Sequence, residues 1–280
     1  MDVKVRDEII KTEYLIIGGG VAGLMSAITA AGLGVDVLVA EKADTRRSGS
    51  GCGGNDHFMC YIPSEHGDDF ERVISEINEG MEGGPWQDPA MLRKMMRRTE
   101  SVVQRWEEWG INMKPTGKYN FEGHTMPSRQ CYHLKYDGAN QKRVLTNKAR
   151  ESGAKIMNKL YINDILTNEE GRAVGAIGFI LADDEPEVVV IQCKAVLVAT
   201  AQAMRMYPNV NPAYIFNTHS CPAAAGGAAI AYRAGCKLVN IDVPYRHAGV
   251  KGVCPLRQSD LVRRYFRYQR RFDQPILPGA

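Results

Sequence analysis

The chain has 280 residues, of which 44% are hydrophobic and 24% charged, with 28 glycines and a formal net charge of +3. That composition excludes a disordered chain and describes a globular protein, long enough for one large α/β domain with a sizeable core. The small net charge hides one local excess: Leu256 to Arg271 carries Arg257, Arg263, Arg264, Arg267, Arg270 and Arg271 against a single acid, Asp260.

The mixed-charge start from Asp2 to Glu8 lacks the apolar core of a secretory signal. The seven cysteines are odd in number and scattered, without a CxxC pair. This usage predicts a reducing, cytoplasmic compartment and offers no zinc or redox motif.

From Leu15 to Val35 there are 21 residues without a charge, enough by length to cross a bilayer. Gly18, Gly19, Gly20, Gly23, Gly32 and Gly34 fall within it and would weaken one continuous helix. The better division is a buried strand (Tyr14 to Ile17), a turn (Gly18 to Gly20), a helix (Val21 to Gly32) and a second strand (Asp36 to Ala40) that ends at Glu41.

This βαβ unit carries GxGxxG at Gly18, Gly20 and Gly23. In such a turn the first glycine permits the tight bend, the second lets backbone approach a pyrophosphate, and the third lets helix pack close on strand. The pyrophosphate would meet the unpaired N–H groups at the helix start, those of Val21 and Ala22 among them. Glu41, placed 18 residues after Gly23, would accept hydrogen bonds from the adenosine ribose. A carboxylate there disfavours a 2′-phosphate, which leaves NAD and FAD as alternatives.

A second glycine- and serine-rich loop follows from Ala43 to His57. Its place directly after the ribose acid puts its hydroxyl and N–H groups beside the same cofactor. Asp88 and Pro89 mark a helix start, and an apolar stripe from Leu92 to Trp109 runs to Gly110. Asn112 to Lys142 reads as a long loop or small hairpin, in which His124 and His133 lack partners at metal spacing. Asn140 to Ser152 reads as a helix stopped by Gly153.

Lys155 to Leu166 and Ala173 to Ala182 follow as alternating strands, and Glu187 to Thr200 holds two more. The last of these, Ala195 to Ala199, has the unbroken apolar character of a central parallel strand that rejoins the first unit. A small-residue helix, Gly227 to Ala234, ends at Gly235.

Taken in order, the glycine turn with its acid, "RRSGSGCGGN", "KAVLVATA" and "AAIAYRAGCKLVNIDVPYRHAG" resemble the FAD-binding subunit of the fumarate reductase and succinate dehydrogenase family. "KADTRRSGSG" and "CKAVLVAT" are similar to its adenylylsulfate reductase branch. The resemblance covers about residues 13 to 249. It implies a Rossmann-like α/β FAD-binding domain with a central parallel sheet and a helical insertion, and a capping domain that is largely missing here.

The same resemblance places the pyrophosphate at Gly18, Gly20 and Gly23, the ribose at Glu41 beside Lys42, and a second FAD loop at Ser48, Gly49, Gly53 and Gly54. Ala199 and Thr200 match the family's Ala-Thr-Gly turn, with Ala201 in place of the glycine. Arg47 stands where membrane-bound members carry a histidine joined covalently to flavin. Ala225, Gly226 and Gly227 replace Gly-Asp-Gly, so the aspartate contact is lost. His247 corresponds to a substrate-site histidine, and Asn55 offers the asparagine of the adenylylsulfate branch without a shown equivalence.

The resemblance implies FAD, a small-molecule substrate and an iron–sulfur partner subunit; the family's proton-donating arginine has no counterpart, so no catalytic acid is assigned. Residues 1–250 are read as the FAD-binding domain, and 251–280 as an aberrant tail of a truncated product, not a nucleic-acid site. Two alternatives stay open: a non-catalytic FAD-binding remnant, and an NAD-dependent dehydrogenase.

Overall fold

A computed structural model of the chain describes residues 4–79, 88–122, 130–181, 186–201 and 226–241. Two short strands, β1 (Lys4–Val5) and β2 (Ile10–Lys11), precede β3 (Tyr14–Ile17), α1 (Val21–Gly32) and β4 (Val37–Glu41). The uncharged run is therefore a strand, a turn and a helix. Its second strand begins and ends one residue later than the sequence predicts, so that Glu41 is its last member.

The helix ends because Gly34, at φ 85°, turns left-handed while its N–H bonds back to Ala31. Beyond Glu41 the chain builds β5 (His57–Met59), α2 (Pro63–His66), α3 (Phe70–Asn78) and α4 (Pro89–Glu108). Asp88 caps α4 by accepting from the Ala90 N–H at 2.8 Å, with Pro89 at the first helical position.

Two further strands, β6 (Asn120–Phe121) and β7 (His133–Lys135), lie in the stretch predicted as a loop or small hairpin. They pair antiparallel with each other, and β5 joins the other edge of β7. The helical insertion thus includes a three-stranded sheet. Strands of two or three residues are too short to show a periodic signal in sequence.

Next come α5 (Gln141–Glu151), β8 (Lys155–Asn158), β9 (Leu160–Thr167), β10 (Ala173–Ile180), β11 (Glu187–Gln192), β12 (Ala195–Val198) and α6 (Gly226–Arg233). The single strand predicted from Lys155 to Leu166 is in fact two. Lys159, at φ 61°, bends the chain out of one sheet and into another.

Strands β12, β3, β4 and β8 form a wholly parallel sheet in that order. β9, β10 and β11 form an antiparallel sheet with β1 and β2 at its far edge. Alternation along β3 and β4 explains the layers. Ile16, Val37 and Val39 face α1, α4 and α5, packing on Leu24, Ala27, Trp106, Leu145 and Ala149. Leu15, Ile17, Leu38 and Ala40 face the antiparallel sheet, packing on Leu160, Ile162, Ala176, Val189 and Ile191.

β12 rejoins the first unit as predicted, in register from Ala195 beside Tyr14 to Val198 beside Ile17. Among the described residues, however, it stands at one edge of the parallel sheet, with β8 at the other, and its side chains are half-buried or exposed. Its apolar run serves both faces: Leu197 packs on the helix-side core, and Val196 and Val198 pack toward the antiparallel sheet and α6.

Candidate functional site

The C-terminal ends of β12, β3 and β4 lie side by side, which in a parallel α/β sheet is where ligands bind. The Gly18 N–H donates to Ala40 O at 2.8 Å, and the Ala199 N–H donates to Ile17 O at 2.8 Å, so the ladder holds the glycine turn from both sides. Gly18 has φ 106°, and a Cβ placed on it would lie 2.5 Å from the Ala199 carbonyl oxygen. This position needs glycine for its backbone angle and for the closeness of β12.

The other two glycines of the motif do different things. A Cβ on Gly23 would strike the Gly18 carbonyl oxygen, so Gly23 sets the approach of α1 to β3. Gly20 is the N-cap of α1, in extended conformation, and a Cβ there would meet nothing within 4 Å. Gly20 has no side chain to cap the helix, so among the described residues its first-turn N–H groups, at half-buried Val21 and exposed Ala22, have no side-chain cap.

Gly19 is gripped at both of its polar atoms. Its N–H donates to Glu41 Oε2 at 2.7 Å, and its carbonyl oxygen accepts from Lys142 Nζ. Glu41 is 5% exposed and its Oε1 accepts from the Ala43 N–H at 2.8 Å. Each carboxylate oxygen therefore keeps one lone pair for a further donor.

The second glycine loop lies over this turn. Thr45 packs its methyl group where a Gly19 side chain would go, and its N–H donates to Asn158 Oδ1 at 3.1 Å, which fixes the loop to β8. A Cβ on Gly49 would lie 3.4 Å from Gly20 Cα, and one on Gly51 would lie 3.2 Å from Val21 Cγ2. Gly53 borders open space, while Gly54, at φ 86°, sits against Gly138 and Ala139 just before α5.

Ser48 and Thr45 are buried, and their hydroxyl oxygens have no hydrogen-bond partner among the described residues. Buried hydroxyls are normally satisfied, so two orphans beside a free helix N-terminus fit an anionic ligand rich in acceptors. Arg46 is committed elsewhere: it pairs with Asp44 at 2.6 Å and holds that carboxyl down at about 2. Lys42 and Arg47 are exposed at the rim.

At the β12 side, Ala199 and Thr200 continue past the strand, and α6 packs on them through a small residue. A Cβ on Gly227 would collide with Thr200 Oγ1 and lie 2.8 Å from Thr200 Cβ. Gly227 therefore serves packing. His247 and Ala225 lie outside the described residues.

The structure thus brings together Gly18, Gly20, Gly23, Glu41, Ser48, Gly49, Ala199 and Thr200, with Gly53 and Gly54 farther along the same loop. It adds one residue that the motifs did not indicate, Lys142, in the first turn of α5. Lys142 is 3% exposed, and burial pushes its ammonium down to about 8 against the opposing attraction of Glu41. The signal was present: Lys142, Leu145, Thr146 and Ala149 recur at i, i+3, i+4 and i+7, so the lysine stands on the buried stripe of α5.

A parallel sheet ending in this glycine turn, with a carboxylate at the tip of the next strand, defines a dinucleotide-binding fold. Comparison of the sequence with family profiles gives the specific group: the chain belongs to the FAD binding domain family, which matches residues 13–262. FAD is accordingly its cofactor. The match passes beyond the boundary at residue 250 drawn from sequence.

The structure is similar to adenosine-5-phosphosulfate reductase in complex with sulfite, at 26% identity and TM-score 0.68, over 83% of this chain and 37% of that one. The same values relate it to adenylylsulfate reductase from Archaeoglobus fulgidus. A flavocytochrome c3 fumarate reductase shares the fold at 18% identity and TM-score 0.67, over 83% of this chain and 42% of that one. The chain therefore spans less than half the length of these relatives. Comparison with curated proteins found no match. Among the described residues, no helix is long and apolar enough to cross a membrane.

Proposed function

We propose that this chain supplies the FAD-binding part of a flavoprotein oxidoreductase of the adenylylsulfate reductase and fumarate reductase type. The observation that carries the placement of FAD is Gly20: a helix N-terminus with open space at its glycine and, among the described residues, no side-chain cap, overlaid by a loop whose buried Ser48 hydroxyl lacks a partner among those same residues. The pyrophosphate lies against Gly18, Gly20, Val21, Ala22 and Gly23, where backbone N–H groups and the helix dipole receive its charge. The ribose hydroxyls donate to the lone pairs that Glu41 retains, with Lys42 at the outer rim.

Ser48 and Gly49 close over the pyrophosphate, and Gly53, Gly54, Ala199 and Thr200 border the remainder of the extended cofactor. FAD, when bound, supplies the hydride or electron transfer. The chain's own residues position it and exclude water from its phosphates. The substrate is a small molecule, a dicarboxylate or adenylylsulfate, with His247 as a contact. Two of the similar proteins are adenylylsulfate-type reductases at 26% identity, which supports the sulfur reading. An iron–sulfur partner subunit rests on the family resemblance, and a cytoplasmic site of action on the scattered cysteines.

Titration of the purified chain with FAD, and separately with NAD, followed by fluorescence quenching tests the reading. Saturable binding of FAD with little or none of NAD is expected. Equal or stronger binding of NAD would return the chain to the dehydrogenase alternative.

A further inference from the structure

A lysine in the first turn of a helix faces the positive end of the helix dipole, and a buried lysine also loses its hydration. Lys142 combines both disadvantages, at 3% exposure in a helix whose N-cap Asn140 makes no side-chain capping bond. Its aliphatic stem is walled by the second glycine loop, 3.7 Å from where a Gly51 side chain would begin. Its ammonium is spent on a backbone oxygen, that of Gly19.

That oxygen belongs to the peptide unit joining Gly19 to Gly20, the pivot of the turn. In a trans peptide the C=O and N–H of one unit point in opposite directions, and no cis bond occurs among the described residues. A cation fixed on the Gly19 oxygen therefore directs the Gly20 N–H to the side of the turn away from α5. The preceding peptide unit is held from the other end, since the Gly19 N–H is taken by Glu41 at 2.7 Å. Two successive peptide planes are thus clamped by a base and an acid on different elements, α5 and β4. A charge on a carbonyl also draws electron density from its own N–H, which makes that group a stronger donor to an anion.

We propose that Lys142 is a cofactor-positioning residue, which aims and polarises the Gly19–Gly20 peptide so that its N–H receives the FAD pyrophosphate. This rests on the placement of FAD given above. The negative groups acting on the ammonium are Glu41 at the end of β4, and Asp44 and the Cys52 thiol in the second loop. A charged Lys142 strengthens FAD binding, and deprotonation removes most of that effect.

The sign follows from linkage. FAD adds negative charge near the ammonium and raises its affinity for a proton. Affinity for FAD is then constant below the free protein's titration near 8 and falls as pH rises through it.

The test uses the full chain in a Cys52→Ser background, which removes the one neighbouring thiol, with Lys142→Arg and Lys142→Met variants. FAD dissociation constants are measured between pH 6.5 and 9.5. The Cys52→Ser parent should weaken by about tenfold over the alkaline half of the range, as charge-assisted bonds of this kind imply. Lys142→Arg, which cannot deprotonate, should bind with a flat profile. Lys142→Met should bind about tenfold more weakly at pH 7, also with a flat profile.

Parent-like affinity and pH dependence in Lys142→Met would overturn the inference. Should Lys142→Met fail to fold, the arginine variant decides, because an alkaline inflection that persists in it would overturn the inference too. Failure of the parent to bind FAD at any pH would instead overturn the placement of the cofactor.

Discussion

Glu41 Oε2 accepts the Gly19 N–H at 2.7 Å, from a side chain that is 5% exposed. The carboxylate is therefore part of the turn's architecture before any ribose reaches it. Its other oxygen fixes the Ala43 N–H at 2.8 Å, where the second glycine loop departs.

Glu41→Gln tests this double role. One carboxylate oxygen becomes an NH2 group, which would face a buried N–H donor with no acceptor between them. The unpaired donors should lower stability by about 1–3 kcal/mol, read as a lower melting temperature without FAD. FAD affinity should fall as well. A variant that melts like the wild type and loses only FAD affinity would show that the carboxylate serves the ribose alone.

Gly20 and Gly23 allow folding to be separated from binding within one motif. A Cβ on Gly20 meets nothing within 4 Å, so Gly20→Ala should fold with an unchanged melting temperature. The same methyl enters the space assigned to pyrophosphate and should weaken FAD by about tenfold or more, as 1–3 kcal/mol of crowding implies. A Cβ on Gly23 strikes the Gly18 carbonyl, so Gly23→Ala should unfold α1 from β3 at a cost of about 2 kcal/mol or more. Unaltered FAD binding by Gly20→Ala would move the pyrophosphate away from this turn.

These differences show which parts of the site the sequence made readable. The helix from Val21 to Gly32 was predicted with its observed ends, because a glycine turn and a left-handed glycine after Leu33 bound it locally. The switch at Lys159 was not, since a left-handed lysine has no local signature and the two strands it separates pair with different sheets. The edge position of β12 among the described residues depends on strand order, which an apolar run alone does not encode. Lys142 lies 123 residues from Gly19, so only the fold shows that a charge on the buried stripe of α5 meets the turn.

Ala201 stands at the third position of the Ala-Thr-Gly resemblance and has φ 63°, a left-handed backbone that a Cβ disfavours. The side chain is exposed, so the strain is conformational and not a clash with neighbours. Ala201→Gly relieves about 1–2 kcal/mol of it and gives back about 0.5–1 kcal/mol in unfolded-state entropy. The net stabilisation should be up to about 1 kcal/mol, measurable as a raised midpoint in urea. A lowered midpoint would show that the methyl group packs usefully.

The cysteines provide a footprint of the cofactor that needs no turnover. Cys52 is exposed in the second glycine loop, between Gly49 and Gly53, whereas Cys60 is fully buried eight residues farther on. Burial pushes the Cys60 thiol up to about 12, so at pH 8.5 almost none of it is the reactive thiolate. Alkylation with iodoacetamide at that pH, followed by peptide mass mapping, should modify Cys52 and leave Cys60 intact. Because the reactive form is the deprotonated one, raising the pH to 10 should still spare Cys60 while the chain stays folded. Adding FAD should slow Cys52 alone, since the loop that carries it closes over the pyrophosphate. Labelling of Cys52 at the same rate with and without saturating FAD would place the second loop outside the cofactor site.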